Sequence, residues 1–317
     1  MVLRASVGAA ALAAVLSVSP AAAASVVVAV PNWPSAEVSA NIIAQLLDKE
    51  LGVTPRLREM GTVEILGAID RGEVDVHPEI WLPNLEAAVA EFAQDRGTLA
   101  LSPQATEAGQ HMCTTRATQD ATGLAHIADL TRPDIAAHFD TDEDGMGEVW
   151  IGAHEWSSTP VERVRAHSYG YHETMMLLEM PEDMAMASID AAVVTGQPIV
   201  FFCYSPHFVF ELHDIVRLDE PAHDPESWQV VLPTEDEAWQ ERSTAAMAWK
   251  PSSFQIGYAS YLDADMPKVS SFLKNVTFTT EEAQAMSYAI DVEQRAPADV
   301  AAEWIANNSA RWMEWTK

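Results

Sequence analysis

Val74-Asp75-Val76-His77-Pro78-Glu79-Ile80-Trp81-Leu82-Pro83-Asn84 runs as a strand-like segment into an aromatic ring and turns at once through proline. A strand that stops at a ring and turns sharply sets that ring at the rim of a sheet, where open α/β folds bind their ligands. Upstream, Val26 to Val30 is a β-branched strand, and Glu37 to Glu50 has helical apolar spacing (Val38, Ile42, Ile43, Leu46, Leu47) closed by Gly52. A second strand near Thr54 to Arg58 leads into a helix over Thr62 to Asp70 that stops at Gly72. This βαβαβ order with short connections predicts an α/β fold with a mainly parallel sheet and helices on both faces.

Two later segments repeat the aromatic turn: His154-Glu155-Trp156-Ser157-Ser158 and Phe202-Cys203-Tyr204-Ser205-Pro206. Between them a helix is predicted over Met184 to Thr195, stopped by Gly196-Gln197-Pro198 and followed by the apolar strand Ile199 to Cys203. Leu218 to Pro233 is rich in Pro, Asp and Glu and reads as irregular, whereas Phe254 to Ala259 is a strand followed only by helices. A chain of this length exceeds one ordinary core. The expected organisation is two lobes joined by crossing strands, 25–116 with 251–317 and 117–250.

The N-terminus sets the expected compartment. Arg4, the apolar run Ala5 to Val18 and the small residues Ala22-Ala23-Ala24 read as a signal peptide over 1–24. No later run is long enough to span a membrane and no cysteine near the cleavage point could accept a lipid, so a soluble periplasmic protein is expected, as a monomer. The 47 acidic against 18 basic residues give a net charge of −29. That charge repels nucleic acid and disfavours anionic ligands, while a cation is attracted. The only cysteines, Cys113 and Cys203, exclude a cysteine-based zinc site and either pair across a long loop or stay as buried thiols.

Asp70-Arg71-Gly72-Glu73-Val74-Asp75-Val76 running into Trp81-Leu82-Pro83-Asn84, Phe139 to Gly145 ahead of Trp156, and Gly196-Gln197-Pro198 through Tyr204-Ser205-Pro206-His207-Phe208 resemble the glycine betaine-binding proteins of ABC importers. The resemblance covers nearly the whole chain after residue 24 and keeps the motif order. It implies a two-lobed periplasmic binding protein, type II-like, whose aromatic side chains box a trimethylammonium head, working with a membrane permease and needing no cofactor.

The chemistry agrees. A quaternary ammonium has no N–H to donate, so it is held by π faces, each worth about 0.5 to 2 kcal/mol. The candidate ligand-binding residues are Trp33, which follows the first strand in Pro31-Asn32-Trp33-Pro34, with Trp81, Trp156 and Tyr204. Trp228, Trp239, Trp249, Trp304, Trp312 and Trp315 are expected in the core. Tyr204 stands where family members often have tryptophan, and Leu85-Glu86 where some carry a histidine for the betaine carboxylate. Glu79, two residues before Trp81, either shares that side of the strand and reaches the cleft, favouring choline or trimethylamine N-oxide, or is an exposed strand-end carboxylate.

Asp140-Thr141-Asp142-Glu143-Asp144-Gly145-Met146-Gly147-Glu148 has the oxygen spacing of the first nine positions of a calcium loop, with Asp140, Asp142, Asp144, Met146 and Glu148 as candidate ligands. Ile151 occupies the position of the closing glutamate, and a solvated acidic turn is the alternative. No G-x-S-x-G, H-E-x-x-H, C-x-x-C or glycine-rich phosphate loop is present. An exported hydrolase acting on a small cation from dispersed Ser, His and Asp residues is the competing class, and a structural surface protein is a third.

Overall fold

A computed structural model describes residues 25–233 and 235–317; the expected signal peptide, 1–24, lies outside the described residues. The first unit is β1 (Ser25–Val30), α1 (Pro34–Leu51), β2 (Thr54–Glu59), α2 (Thr62–Asp70) and β3 (Val76–Leu82). Its helices end where the sequence says they must. Gly52 takes a left-handed φ of 64° and its N–H bonds to the Leu47 carbonyl, a conformation that costs a Cβ-bearing residue. β1 pairs parallel with both β2 and β3.

Two long-range strands then tie the molecule together. β4 (Leu99–Thr115) pairs antiparallel with β9 (Ser252–Ala259) through Ala108, and from Gly109 onward with β7 (Val200–Ser205). β9 also pairs antiparallel with β3. In the second sheet β5 (Gly147–Trp150) lies parallel between β6 (Met175–Leu178) and β7, and β8 (Ile215–Arg217) adds to β4. The parallel pairing expected from the βαβ order holds for the outer strands, and the crossing strands add antiparallel pairs, so both sheets are mixed.

The strands also decide the cysteines. Antiparallel register sets His111 opposite Cys203 and Cys113 opposite Phe201, leaving the two cysteine Cα atoms 5.8 Å apart and disulfide-bonded across β4 and β7. The bridge closes a separation of 90 residues, worth about 4 to 5 kcal/mol on a chain-entropy model.

The last four helices, Pro267–Asn275, Thr280–Asp291, Pro297–Asn307 and Ser309–Trp315, return to the first sheet. There Phe272, Trp304, Trp312 and Trp315 join Ile42, Ile43, Leu46 and Leu47 of α1 in one apolar core. Trp304 stacks on Trp315 at 5.4 Å and meets Phe278 edge-on. Trp249 is buried too, as expected. Trp228 and Trp239 are not in the core: they are half-buried in the irregular segment after β8, where Trp228 walls a surface groove against Trp249. A segment with so few apolar neighbours cannot enclose them.

Candidate functional site

Trp33, Trp81, Trp156 and Tyr204 converge on one small cavity, together with Thr62, Asn84, Gln110, Ser157, Ser158 and Phe202. Each ring arrives by a different route. Trp33 is the extended residue that starts α1, its carbonyl accepting from Glu37 N–H at 3.1 Å. Trp81 lies near the end of β3 and stacks on Phe254 of β9 at 5.3 Å. Tyr204 sits in β7 opposite Gln110 of β4. Trp156 follows a turn closed by its N–H on the Ala153 carbonyl. Gly152 permits that turn, because with φ 121° a Cβ there would stand 2.5 Å from Thr159 Oγ1 and 3.4 Å from the Trp156 ring.

The rings form a connected wall. Tyr204 meets Trp81 edge-on at 5.5 Å and Trp156 edge-on at 5.7 Å, and Trp156 rests edge-on against Trp150 at 5.6 Å. Trp33 and Trp81 belong to the first sheet and its helices, Trp156 and Tyr204 to the second. None of the four is more than 8% exposed. The cleft is therefore closed, and Asn32 donates across it to Glu155. Gly61 lets the two sides meet: an added Cβ would come within 3.0 Å of the Glu155 Cβ.

The polar lining is sparse. Asn84 and Gln110 satisfy each other through two amide hydrogen bonds of 2.8 Å, and Gln110 also donates to Ser252. Thr62 Oγ1 and Trp156 Nε1 are buried without a partner, which costs free energy unless something in the cavity accepts from them. No lysine, arginine, histidine or carboxylate is among the described residues that line it. The lining can hold an apolar cation and offer hydrogen bonds to an oxygen. It supplies no general base for its hydroxyls.

Glu79 corrects both expectations made for it. It neither lines the cavity nor meets solvent: it is fully buried behind Trp33, accepting from Trp33 Nε1–H at 2.8 Å, Ser35 at 3.0 Å and Ser39 at 2.9 Å. It shares its side of β3 with Trp81, as parity predicts, but Trp33, Ser35 and Ser39 cover it and keep it out of the cavity. Burial pushes its carboxyl up to about 7 against those hydrogen bonds. Behind Tyr204 stands a second buried carboxylate, Glu182, which accepts the phenol O–H at 2.7 Å. Burial and then Glu182 raise Glu37 to about 7 and Asp291 to about 8.

Of the candidate calcium ligands, Asp140, Asp142 and Glu148 bring carboxylate oxygens within 4.8 Å of one another. Asp144 is exposed and accepts from Met146 N–H, while left-handed Glu143 and Gly145 close the loop.

The family described as the substrate-binding domain of the ABC-type glycine betaine transport system matches residues 24–307, and the chain belongs to it. It is 23% identical over 311 residues to the trimethylamine N-oxide-binding protein of Pelagibacter ubique (strain HTCC1062), covering 92% of this chain and 90% of that protein. In fold it is similar to an ABC-transporter choline-binding protein in complex with choline (TM-score 0.72, 14% identity, 92% of this chain and 91% of that one). It is also similar to lactococcal OpuAC in its closed form with glycine betaine (TM-score 0.69, 17% identity, 93% and 100% covered). The fold is that of a two-lobed periplasmic binding protein, and the chain is a substrate-binding protein that works with an ABC permease outside the cytoplasm. It is not an enzyme, which sets aside the hydrolase reading. No helix among the described residues is long and apolar enough to cross a membrane.

Proposed function

We propose that the protein is a periplasmic receptor that captures a methylated ammonium osmolyte (glycine betaine, choline or trimethylamine N-oxide) in the cage of Trp33, Trp81, Trp156 and Tyr204 and delivers it, as a monomer, to its permease. The observation that carries this reading is four aromatic rings from both sheets around one cavity whose lining holds no formal charge. Such a lining suits a cation that cannot donate a hydrogen bond. Thr62 Oγ1 and Trp156 Nε1 are the donors for an oxygen at the ligand's other end, and the relatives' ligands all carry one.

The lobes of this reading are 25–116 with 251–317 and 117–250, with β4 shared between the sheets. Because the cage is drawn from both, it is complete only when they meet, and ligand stabilises the closed form by that difference in affinity. Small-angle scattering of the purified protein should show a smaller radius of gyration on addition of ligand, with tryptophan fluorescence changing at the same midpoint. An unchanged radius at saturation would place the site within one lobe.

A calcium ion at Asp140, Asp142 and Glu148, with the Asp144 carboxylate and the Met146 carbonyl as further oxygens, would be structural, since none of these residues lines the cavity. Three carboxylates within 4.8 Å repel one another; the N–H groups of Thr141, Asp144 and Gly145 offset part of this, and a hard cation would offset more. Millimolar calcium should raise the melting temperature, and Asp142→Asn should abolish the rise; equal melting with calcium and with chelator would make the loop a solvated turn.

A further inference from the structure

We propose that two buried carboxylates outside the cavity, Glu79 and Glu182, set the cage's preference for charge by accepting the only polar hydrogens of two of its rings, those of Trp33 Nε1 and Tyr204 Oη. The inference rests on the reading of the cavity as an ammonium cage and adds to it the residues that make the cage electrostatic rather than merely apolar.

The arrangement is the same on both sides. Trp33 Nε1 donates to Glu79 Oε2 at 2.8 Å, and Tyr204 Oη donates to Glu182 Oε1 at 2.7 Å. Glu79 is 0% exposed and Glu182 6%. Neither is neutralised by a lysine or arginine among the described residues: Glu79 is otherwise held by the hydroxyls of Ser35 and Ser39. His207 Nε2 lies 3.0 Å from Glu182 Oε1, close enough for an ion pair were it protonated, but without hydrogen-bond geometry. The other titratable neighbours, Glu37 and Asp291, are acids and bring no positive charge to cancel it.

A buried carboxylate bonded only to neutral donors keeps its charge at a cost in desolvation. Burial raises Glu79 to about 7, the direction that this cost dictates. A cation held against the faces of Trp33 and Tyr204 offsets it. Each carboxylate lies at the edge of its ring, where the N–H or O–H points, and attracts a cation over the ring's face across several ångströms of low-dielectric material. Each also draws the N–H or O–H proton toward itself and so leaves more electron density on the π face that the cation meets. Both effects depend on charge and neither on shape.

A purely orienting role for Glu79 and Glu182 would weaken cationic and neutral ligands alike, and this separates the two accounts. Glu79→Gln retains an oxygen for Trp33 and Ser35 and an amide for the Ser39 hydroxyl, and Glu182→Gln retains an acceptor for Tyr204; each removes only charge. Titration calorimetry at pH 8.5 should compare trimethylamine N-oxide with tert-butanol, choline with 3,3-dimethylbutan-1-ol, and glycine betaine with 3,3-dimethylbutanoate, carbon analogues of nearly the same shape. We expect each variant to lower the preference for the nitrogen compound by roughly five- to tenfold, with the carbon analogue unchanged or tighter. Tyr204→Phe, which cuts the link to Glu182 and keeps the ring, should lower the same preference, and Glu182→Gln should then add little to it. Equal loss for both members of a pair, or an unchanged preference in folded variants, would overturn the inference while leaving the cage intact. A wild-type protein silent toward all three nitrogen compounds would instead overturn the ammonium reading, and this inference with it.

Discussion

Trp81→Ala and Trp156→Ala should each weaken ligand binding at least about tenfold, equivalent to about 1.4 kcal/mol. Each substitution deletes a π face of the cage, and each ring also aligns Tyr204, which both meet edge-on near 5.5 Å. The loss therefore exceeds that of one isolated face. Both side chains already border empty space, so the variants should remain folded. Trp304→Ala is the opposite case. Trp304 stacks on Trp315 within the core shared with α1, and removing it should cost about 3 to 5 kcal/mol of stability with little change in affinity. Urea denaturation beside calorimetry distinguishes them, and a Trp304 variant that lost binding while the Trp81 variant kept it would contradict the division between cage and core.

Arg165→Met should destabilise the protein by about 3 to 5 kcal/mol. Arg165 is fully buried and donates to Glu162 at 2.6 Å and to Glu220, while Trp249 Nε1 donates to the same Glu162 oxygen and Tyr169 to Glu220. Burial already pushes the Glu162 carboxyl up, with Arg165 opposing it. Without the guanidinium two carboxylates would be left in a low-dielectric interior with only neutral donors. The cluster fastens the helix Ser158–Tyr169, which begins beside Trp156, to the irregular segment after β8. The urea midpoint should fall sharply in Arg165→Met and recover in part when Glu162→Gln and Glu220→Gln are added, because the buried charges then disappear together. An unchanged midpoint in the single variant would mean that the network carries no net stability.

The cage tryptophans were legible because their signal is local: an apolar strand, a ring, then a turn. The same local rule reads β1 through β3 correctly, since parallel strands and their helices are written in consecutive apolar periods closed by Gly52 and Gly72. β4 escaped it. Its sequence holds Pro103 and Gly109, its register shifts between Leu101 and Ala105, and it changes partner midway, so it has no single buried face to alternate. Thr62 and Gln110 were unreadable as cavity residues for a related reason: an isolated polar residue carries no period, and only the tertiary fold aims it. Strand parity sets Glu79 on Trp81's side of β3, but the side chains that cover it there, Trp33, Ser35 and Ser39, come from α1 and its start and are set by the tertiary fold. The disulfide depended on which residue of β7 faces which of β4, and spacing along the chain does not encode that.

Isothermal titration of the purified protein against glycine betaine, choline, carnitine, dimethylsulfoniopropionate and trimethylamine N-oxide, with sugars and ordinary amino acids as controls, tests the central claim most directly. A closed, four-ring cage predicts saturable one-to-one binding of at least one methylated onium compound at micromolar concentration or below, and no heat from the controls. Silence across the methylated compounds, or saturation by a sugar or an amino acid, would contradict it.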